Sequence, residues 1–235
     1  MMFAHEARWQ LRILLRDRTA AFFTLVFPLV LLFLLIRQVG RENEAVLSMG
    51  ITVAVVMASF PALAISLAAA IEYGVLHRLR STPLSTGVHL AGRMAASGAL
   101  AAISVALILV AAYFLGIAVG WPQLFWLLVP LLLGWAVAST WGLFVGAYAR
   151  KTSTASFLTQ ILLFPLYILE GFLISGGLPD GLAAVARWSP LHQLVELTGS
   201  AIGGDPTAAW SSAVYLVLLG FLGFVLAVAR LRAAR

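Results

Sequence analysis

Six apolar runs, each long enough to cross a bilayer, constrain the fold of this chain more than any other feature. A helix needs roughly 17–25 apolar residues to span about 30 Å of hydrocarbon. The runs cover residues 19–36, 46–71, 91–119, 124–148, a fifth that starts near residue 154 and reaches residue 170, and 208–229. A mean hydropathy of +1.02 and a charged fraction of only 10% exclude a soluble domain, which needs a far larger charged surface. We therefore predict an all-α integral membrane protein in which residues 1–235 form a single transmembrane domain.

The basic residues are divided unequally between the two sides of the membrane that these runs predict. Cytoplasmic loops of membrane proteins carry an excess of Lys and Arg. If both termini are cytoplasmic, twelve of the fifteen basic residues lie inside, and only Arg37, Arg41 and Arg187 lie outside. The sequence therefore predicts six spans with cytoplasmic N and C termini. The same clustering explains the net charge of +6, because the basic residues lie where a protein in the lipid bilayer carries them. We therefore predict no nucleic acid as a partner.

Residues 1–18 are predicted to form an amphipathic helix on the cytoplasmic membrane surface. Arg8, Arg12 and Arg16 recur at every fourth position, which places them on one side of a helix. Trp9 and the long arginine stems suit the headgroup layer. Two interpretations remain open, because this interface helix either contacts a partner protein or only anchors the first span.

Residues 72–85 form a polar link between the second and third spans. Glu72 suits the positive start of a helix, Arg78 and Arg80 suit its last turn, and Pro83 ends it. We expect a short cytoplasmic coupling helix that docks on a soluble partner, with an ordinary positively charged loop as the alternative. The arginines would pair with acidic groups of that partner, and three apolar side chains would fill its groove: Val75, Leu76 and Leu79.

The character of the chain changes again in residues 175–207. Two short apolar pieces, residues 182–188 and 191–198, are separated by Ser189-Pro190, and each is too short to span the membrane. They predict interfacial or re-entrant half-helices on the outer side. Three side chains of this segment would lie at headgroup depth or line a cavity: Trp188, His192 and Glu196.

The motifs of the common soluble chemistries are missing from the sequence. The only lysine, Lys151, follows no glycine pattern of a phosphate-binding loop, so the chain should not bind and hydrolyse ATP in that way. The chain has no cysteine and four scattered histidines, which predicts no metal site and no cofactor. We predict that the chain is not an enzyme by itself.

Glu170 is the one ionisable side chain that the sequence places deep in a span. Counting about 1.5 Å per residue from Lys151 puts it close to the outer edge of the hydrocarbon. It is therefore either an interfacial residue or a polar group that lines an outer gate. Proton- and sodium-driven carriers usually keep more such groups near mid-membrane. The remaining candidates for a substrate pathway are aromatic: Phe60, Phe164 and Tyr167.

Two local patterns carry a resemblance to a known family. They are Glu72-Tyr73-Gly74-Val75-Leu76-His77-Arg78-Leu79-Arg80-Ser81-Thr82-Pro83-Leu84 and Ser189-Pro190-Leu191. Together with the six spans and the arginine-bearing N-terminal helix, they resemble type-2 ABC exporter permeases of the daunorubicin-resistance kind. The resemblance implies a permease subunit that forms a homodimer, or pairs with a similar permease, and docks separate ATP-binding subunits. ATP and Mg would then act in those partner subunits.

The residues and the resemblance together predict the membrane half of an ATP-driven exporter in the bacterial plasma (inner) membrane. Its cargo would be an amphipathic drug, antibiotic or lipid-like molecule, because the spans offer apolar and aromatic side chains and few charges. Two alternatives remain at this stage. The same architecture could export a polysaccharide or an ion, or the chain could be a membrane scaffold or immunity protein that transports nothing.

Overall fold

Helices account for the whole architecture of the described residues, which are 22–40, 44–75, 86–205 and 207–233 of the computed structural model. In chain order they are α1 (Phe27–Val39), α2 (Glu44–Glu72), α3 (Thr86–Phe114), α4 (Trp121–Trp126), α5 (Leu128–Ala149), α6 (Thr152–Ile174), α7 (Asp180–Ala186), α8 (Pro190–Ile202) and α9 (Trp210–Ala233). Six helical segments are long and apolar enough to cross a membrane, with α4 and α5 forming one of them. The chain is therefore a multi-pass membrane protein, as predicted.

A π-helical turn, Phe22–Val26, leads into α1 and extends this span to 18 residues. Pro28 stands in the first turn of α1, and it cannot donate a hydrogen bond to the carbonyl of Thr24, four residues earlier. The hydroxyl of Ser104 in α3 donates to that carbonyl instead, at 2.7 Å. A carbonyl that would otherwise lack a partner inside the membrane is thereby satisfied.

The third and fourth spans differ from the predicted boundaries. Helix α3 ends at Phe114 and not near residue 119, because the chain turns at Gly116 with a φ of 82°. Residues 115–119 are as apolar as the span itself, so hydropathy alone could not show this end. Helices α4 and α5 are separated at Leu127. Pro130 cannot donate to the carbonyl of Trp126, which accounts for the break.

Helix α2 is the centre of the bundle. It packs against α1, α3, α5, α6 and α8, and two thirds of its most apolar window is buried, compared with 22% for α6. Pro61 lies inside α2, which nevertheless continues to Glu72. Helices α1, α3, α5 and α6 are therefore arranged around one buried helix, and α9 packs on the outside against α5 and α8. These helices expose much of their apolar surface, as membrane helices do towards lipid.

Two glycines of α5 allow it to approach α2 at backbone distance. A Cβ on Gly142 would lie 2.7 Å from the carbonyl oxygen of Phe60, and one on Gly146 would lie 2.5 Å from that of Ala64. This small-residue pair thus serves close helix packing within the subunit. Gly116 and Gly120 have the same spacing but precede α4 at a turn and do not join two helices.

The two short helices predicted between the fifth and sixth spans are present as α7 and α8. Ser189 caps α8 by accepting a hydrogen bond from the backbone N–H of His192 at 3.0 Å. Helix α8 packs against α2, α4, α5, α6 and α9, and its apolar face is buried through Leu191, Leu194 and Leu197. Re-entry of these helices into the membrane remains a prediction.

Opposite charges mark the two ends of the bundle. The end that carries Arg150, Lys151 and Arg230 is called the basic end below, and the end that carries α7 and α8 is called the acidic end. Helix α6 runs from the first to the second. The predicted interface helix, with Arg8, Trp9, Arg12 and Arg16, lies outside the described residues. So does the coupling segment after Val75, with Leu76, Arg78, Leu79 and Arg80.

Candidate functional site

At the basic end, a glutamate of α2 binds the first turn of α6. The Glu72 carboxylate oxygen Oε2 accepts hydrogen bonds from the backbone N–H of Thr152 at 2.8 Å and from its hydroxyl at 2.6 Å. Lys151, at the N-cap position of α6, provides no side-chain cap. Glu72 therefore satisfies an orphan donor at the positive end of α6 from a different helix.

Glu72 is the last residue of α2 and not part of a separate helix. The chain turns directly after it, with Gly74 at a φ of 66°, and Val75 is half-buried. The predicted coupling segment thus begins with a residue that is already bonded to Thr152 within the same chain.

At the acidic end, four side chains from three helices form one hydrogen-bonded cluster. The carboxylate oxygen Oε1 of Glu170 lies 2.9 Å from Nδ1 of His192. The other ring nitrogen, Nε2, lies 3.3 Å from Oε1 of Glu196. Oε2 of Glu196 accepts a hydrogen bond from the hydroxyl of Ser212 at 3.2 Å. Glu170, His192, Glu196 and Ser212 are called the His192 cluster below; it joins α6, α8 and α9.

Burial and charge act in opposite directions on the imidazole of this cluster. Burial lowers the pKa of His192, but the hydrogen bonds and negative charges of Glu170 and Glu196 raise it further than burial lowers it. The net effect is a pKa above the ordinary value of about 6.5. Glu170 is only 1% exposed, so the carboxylate that lies closest to the ring is shielded from solvent.

A polar cavity of about 630 Å³ opens beside this cluster. Glu44 of α2, Asp205 of the loop before α9, and small residues such as Gly199 and Ser200 of α8 contribute to its lining. Of the three side chains predicted to lie at headgroup depth or to line a cavity, His192 and Glu196 line this one and Trp188 does not; Glu170 lines it as well. Among the described residues, no three His, Asp or Glu side chains are placed to hold a metal ion.

The opposite face of α8 closes an apolar groove of about 430 Å³. Leu191 and Leu194 of α8 face this groove, and it continues along α2, α5, α6 and α9. Its two polar side chains have partners elsewhere: Trp141 donates to the carbonyl of Leu219 at 3.1 Å, and Tyr215 donates to that of Trp188 at 3.0 Å. Helix α8 therefore separates a polar cavity from an apolar one.

The four predicted pathway residues do not form one surface. Phe60 lines the apolar groove, and Glu170 lines the polar cavity. Phe164 and Tyr167 pack instead against Phe27 of α1, with ring centroids 6.3 and 6.5 Å away. Tyr167 is buried, and its hydroxyl has no partner among the described residues.

Sequence reasoning missed the partners of both glutamates. The spacing of four between His192 and Glu196 is the signal that could have predicted one contact of the cluster, because such residues are neighbours on a helix. The contacts of Glu170 with His192 and of Glu72 with Thr152 join different helices. They depend on how the helices are arranged, which no local pattern shows.

The six membrane-spanning segments and the two short helices before the last one define the chain as a transmembrane subunit. The family model of the ABC-2 type transporter matches residues 6–202, and the chain belongs to this family. It is therefore a permease subunit of an ABC transporter. A search of the curated proteins found no match to the chain. The matched range includes Glu72, Thr152, Glu170 and His192.

Proposed function

We propose that this permease works in an ATP-driven exporter whose ATP-binding subunit is a separate chain. The basic end would face the cytoplasm of a bacterial cell, since basic residues accumulate on the inner side of membrane proteins. The permease would act as a homodimer or with a similar permease in the inner membrane. ATP and Mg would bind in the partner subunit, because the sequence has no phosphate-binding loop.

The observation that supports this proposal most directly is the contact of Glu72 with Thr152. ATP binding in a soluble subunit moves a membrane protein only through an element that touches both. The segment after Glu72 is the proposed docking element, with Arg78 and Arg80 as its charged contacts. Glu72 would pass its displacement to the N-terminus of α6, which runs to the acidic end.

The proposed cargo is an amphipathic drug, antibiotic or lipid-like molecule. The two cavities on either side of α8 support this class, because one has four carboxylates in its lining and the other is almost wholly apolar. A molecule with a polar head and an apolar body would find both environments next to each other. Phe60 and Glu170 are the proposed contacts in the apolar and the polar cavity, respectively.

The test compares ATPase activity and transport in lipid for the complex of permease and ATP-binding subunit. We expect Glu72→Ala to reduce cargo-stimulated ATPase activity and transport several-fold while the subunits still co-purify. The matched control is Thr207→Val, which removes the hydroxyl that donates to the carboxylate of Asp205. Asp205 also accepts from a threonine N–H and hydroxyl, those of Thr207, at 3.1 and 2.7 Å, but that contact stays within one loop.

Two results would contradict the proposal. Equal losses in Glu72→Ala and Thr207→Val would show that the link between α2 and α6 transmits nothing. If no ATP-binding subunit associates with the wild-type permease, the scaffold interpretation replaces the exporter.

A further inference from the structure

The two ring nitrogens of His192 face carboxylates of two different helices. Nδ1 lies 2.9 Å from Glu170 Oε1, and Nε2 lies 3.3 Å from Glu196 Oε1. A neutral imidazole has one N–H donor and one acceptor nitrogen, whereas an imidazolium donates from both. Because ionised carboxylates only accept, the ring can hold both of them at once only when it carries its second proton.

We propose that the His192 cluster is a proton-operated latch at the acidic end. With the proton bound, His192 ties α8 to Glu170 of α6 and, through Glu196 and Ser212, to α9. When the proton leaves to water, one of the two carboxylates loses its donor and both lose the cation between them. Helix α8 is then free to move away from α6 and widen the polar cavity.

Glu170 and Glu196, on two different helices, favour the protonated state of the ring. The ionisable residues that face α8 or precede it belong to α2, α6, α8 and the adjacent loops: Glu44, Glu170, Glu196, Asp205 and Arg187. Arg187 meets α8 through its backbone carbonyl, which accepts from Gln193 at 2.7 Å. The described residues that line the cavity include four carboxylates and neither Lys nor Arg.

Among the described residues, α9 adds one further titratable side chain, Tyr215, whose hydroxyl donates to the carbonyl of Trp188 on the apolar side of α8. Gln123 of α4 donates to the carbonyl of Ile202 at 2.7 Å, Gly134 of α5 faces Leu194, and Ser212 is the contact of α9 with Glu196. His192 is thus the group through which a change of pH near neutrality acts on this helix.

The direction of the response follows from the raised pKa of His192. The latch is fully closed below the ordinary imidazole value of about 6.5 and opens as pH rises through the raised value. In the proposed exporter, protonated His192 would keep the polar cavity narrow when the solution outside the cell is acidic. The latch itself belongs to the permease alone, so it can be tested without an ATP-binding subunit and stands or falls apart from the export proposal.

The absence of cysteine from the chain allows a direct test by thiol labelling. Ser200→Cys places one thiol on the cavity lining, and Asp180→Cys, in a separate protein, places one at an exposed position. The maleimide labelling rate at residue 200 is divided by that at residue 180, and the same ratio measured in His192→Gln supplies the pH dependence that the two thiols have without the latch. The ratio is measured from about pH 6 to about pH 9, which brackets the titration of imidazole.

We expect the ratio to rise several-fold with pH when His192 is present. In His192→Gln, which cannot acquire a charge, the ratio should show only the smaller change with pH that the two different thiols produce. Glu44→Gln is the matched control, because it removes a carboxylate from the same cavity outside the cluster and should keep the rise. Size-exclusion profiles and circular dichroism establish that each variant is folded.

A constant ratio in the chain that carries His192 would overturn the latch, and so would an equal rise in His192→Gln. If His192→Gln does not fold, Glu196→Gln serves as the second variant. Glu196 is half-exposed, and its neutral form should weaken the latch and shift the rise to lower pH. An unchanged profile in Glu196→Gln would also contradict the proposal.

Discussion

The two ends of α6 are each held by a glutamate, but the two contacts differ in kind. At the basic end, Glu72 is exposed and binds the backbone N–H and hydroxyl of Thr152. At the acidic end, Glu170 is buried and binds the ring of His192. One contact has donors that keep their protons at every pH near neutrality, and the other has a donor that titrates there.

This difference indicates two separate kinds of control over one helix. A contact whose donors do not titrate changes only when its groups move, so it transmits a displacement from one helix to the other. A contact with a titrating donor also responds to the surrounding solution. Helix α6 would therefore follow mechanical input at the basic end and proton concentration at the acidic end. The predictions below test each half of this comparison.

The largest effect on stability is expected from Glu170→Ala. Removing one partner of a buried charged pair leaves the other without compensation and costs about 3 kcal/mol. The free energy of unfolding, measured by denaturant titration in detergent micelles, should fall by about this amount at pH 6. Glu72→Ala should lower it much less, because its carboxylate is exposed to solvent. Equal losses of unfolding free energy in Glu170→Ala and Glu72→Ala would contradict the proposed difference between the two contacts.

A smaller effect is expected from pH itself. Because the pKa of His192 is raised in the folded protein, the stabilisation is complete below about pH 6.5 and is lost as pH rises through the raised value. The melting temperature of the wild type should therefore fall on this alkaline side. His192→Gln should remove the pH dependence, whereas Thr152→Val at the other end should leave it unchanged. A pH profile that Thr152→Val alters as strongly would contradict the assignment.

Thr152→Val should have its main effect on coupling and little effect on stability. Valine has the shape of threonine and keeps the backbone N–H that donates to Glu72 at 2.8 Å, but it removes the hydroxyl donor. We expect a smaller loss of cargo-stimulated ATPase activity than in Glu72→Ala. Thr207→Val, which removes the equivalent hydroxyl from Asp205, is the control. A loss that matches or exceeds that of Glu72→Ala would show that the hydroxyl acts by another route.

The smallest effect is expected from Ser212→Ala. The lost hydrogen bond is 3.2 Å long, and water can replace it at the half-exposed Glu196, so the cost should be about 0.5–1 kcal/mol. The labelling ratio at residue 200 should rise with pH as it does in the wild type, but it should already exceed the wild-type ratio at the lowest pH. If labelling at pH 6 stays at the wild-type rate, Ser212 does not help to hold α9 to α8.

Hydropathy predicted the six spans well because the membrane requires a long apolar helix for each crossing. The same signal placed the end of α3 too late, since apolar residues 115–119 continue past the turn at Gly116. Chain position predicted that Glu170 lies near one end of its span, and the structure places it in the penultimate turn of α6. Its partner His192 is 22 residues away and on another helix, which depends on tertiary packing.

The interpretation of Glu72 shows the same limit. Its charge and its place before Arg78 and Arg80 predicted the start of a coupling helix. The structure places it at the end of α2, bonded to a residue 80 positions later. A carboxylate favours the positive end of a helix, but the sequence alone does not show which helix it will meet.

The backbone contact of α2 with α5 has a mechanical consequence. At Gly142 and Gly146 the backbone of α5 lies directly against the backbone of α2, so little at this contact can change rotamer to absorb a shift. Helices α2 and α5 should therefore keep their relative positions through a transport cycle. Gating must then come from the helices that pack around this pair. Helix α6 is best suited to move, because side-chain contacts hold its two ends and most of its surface between them is exposed.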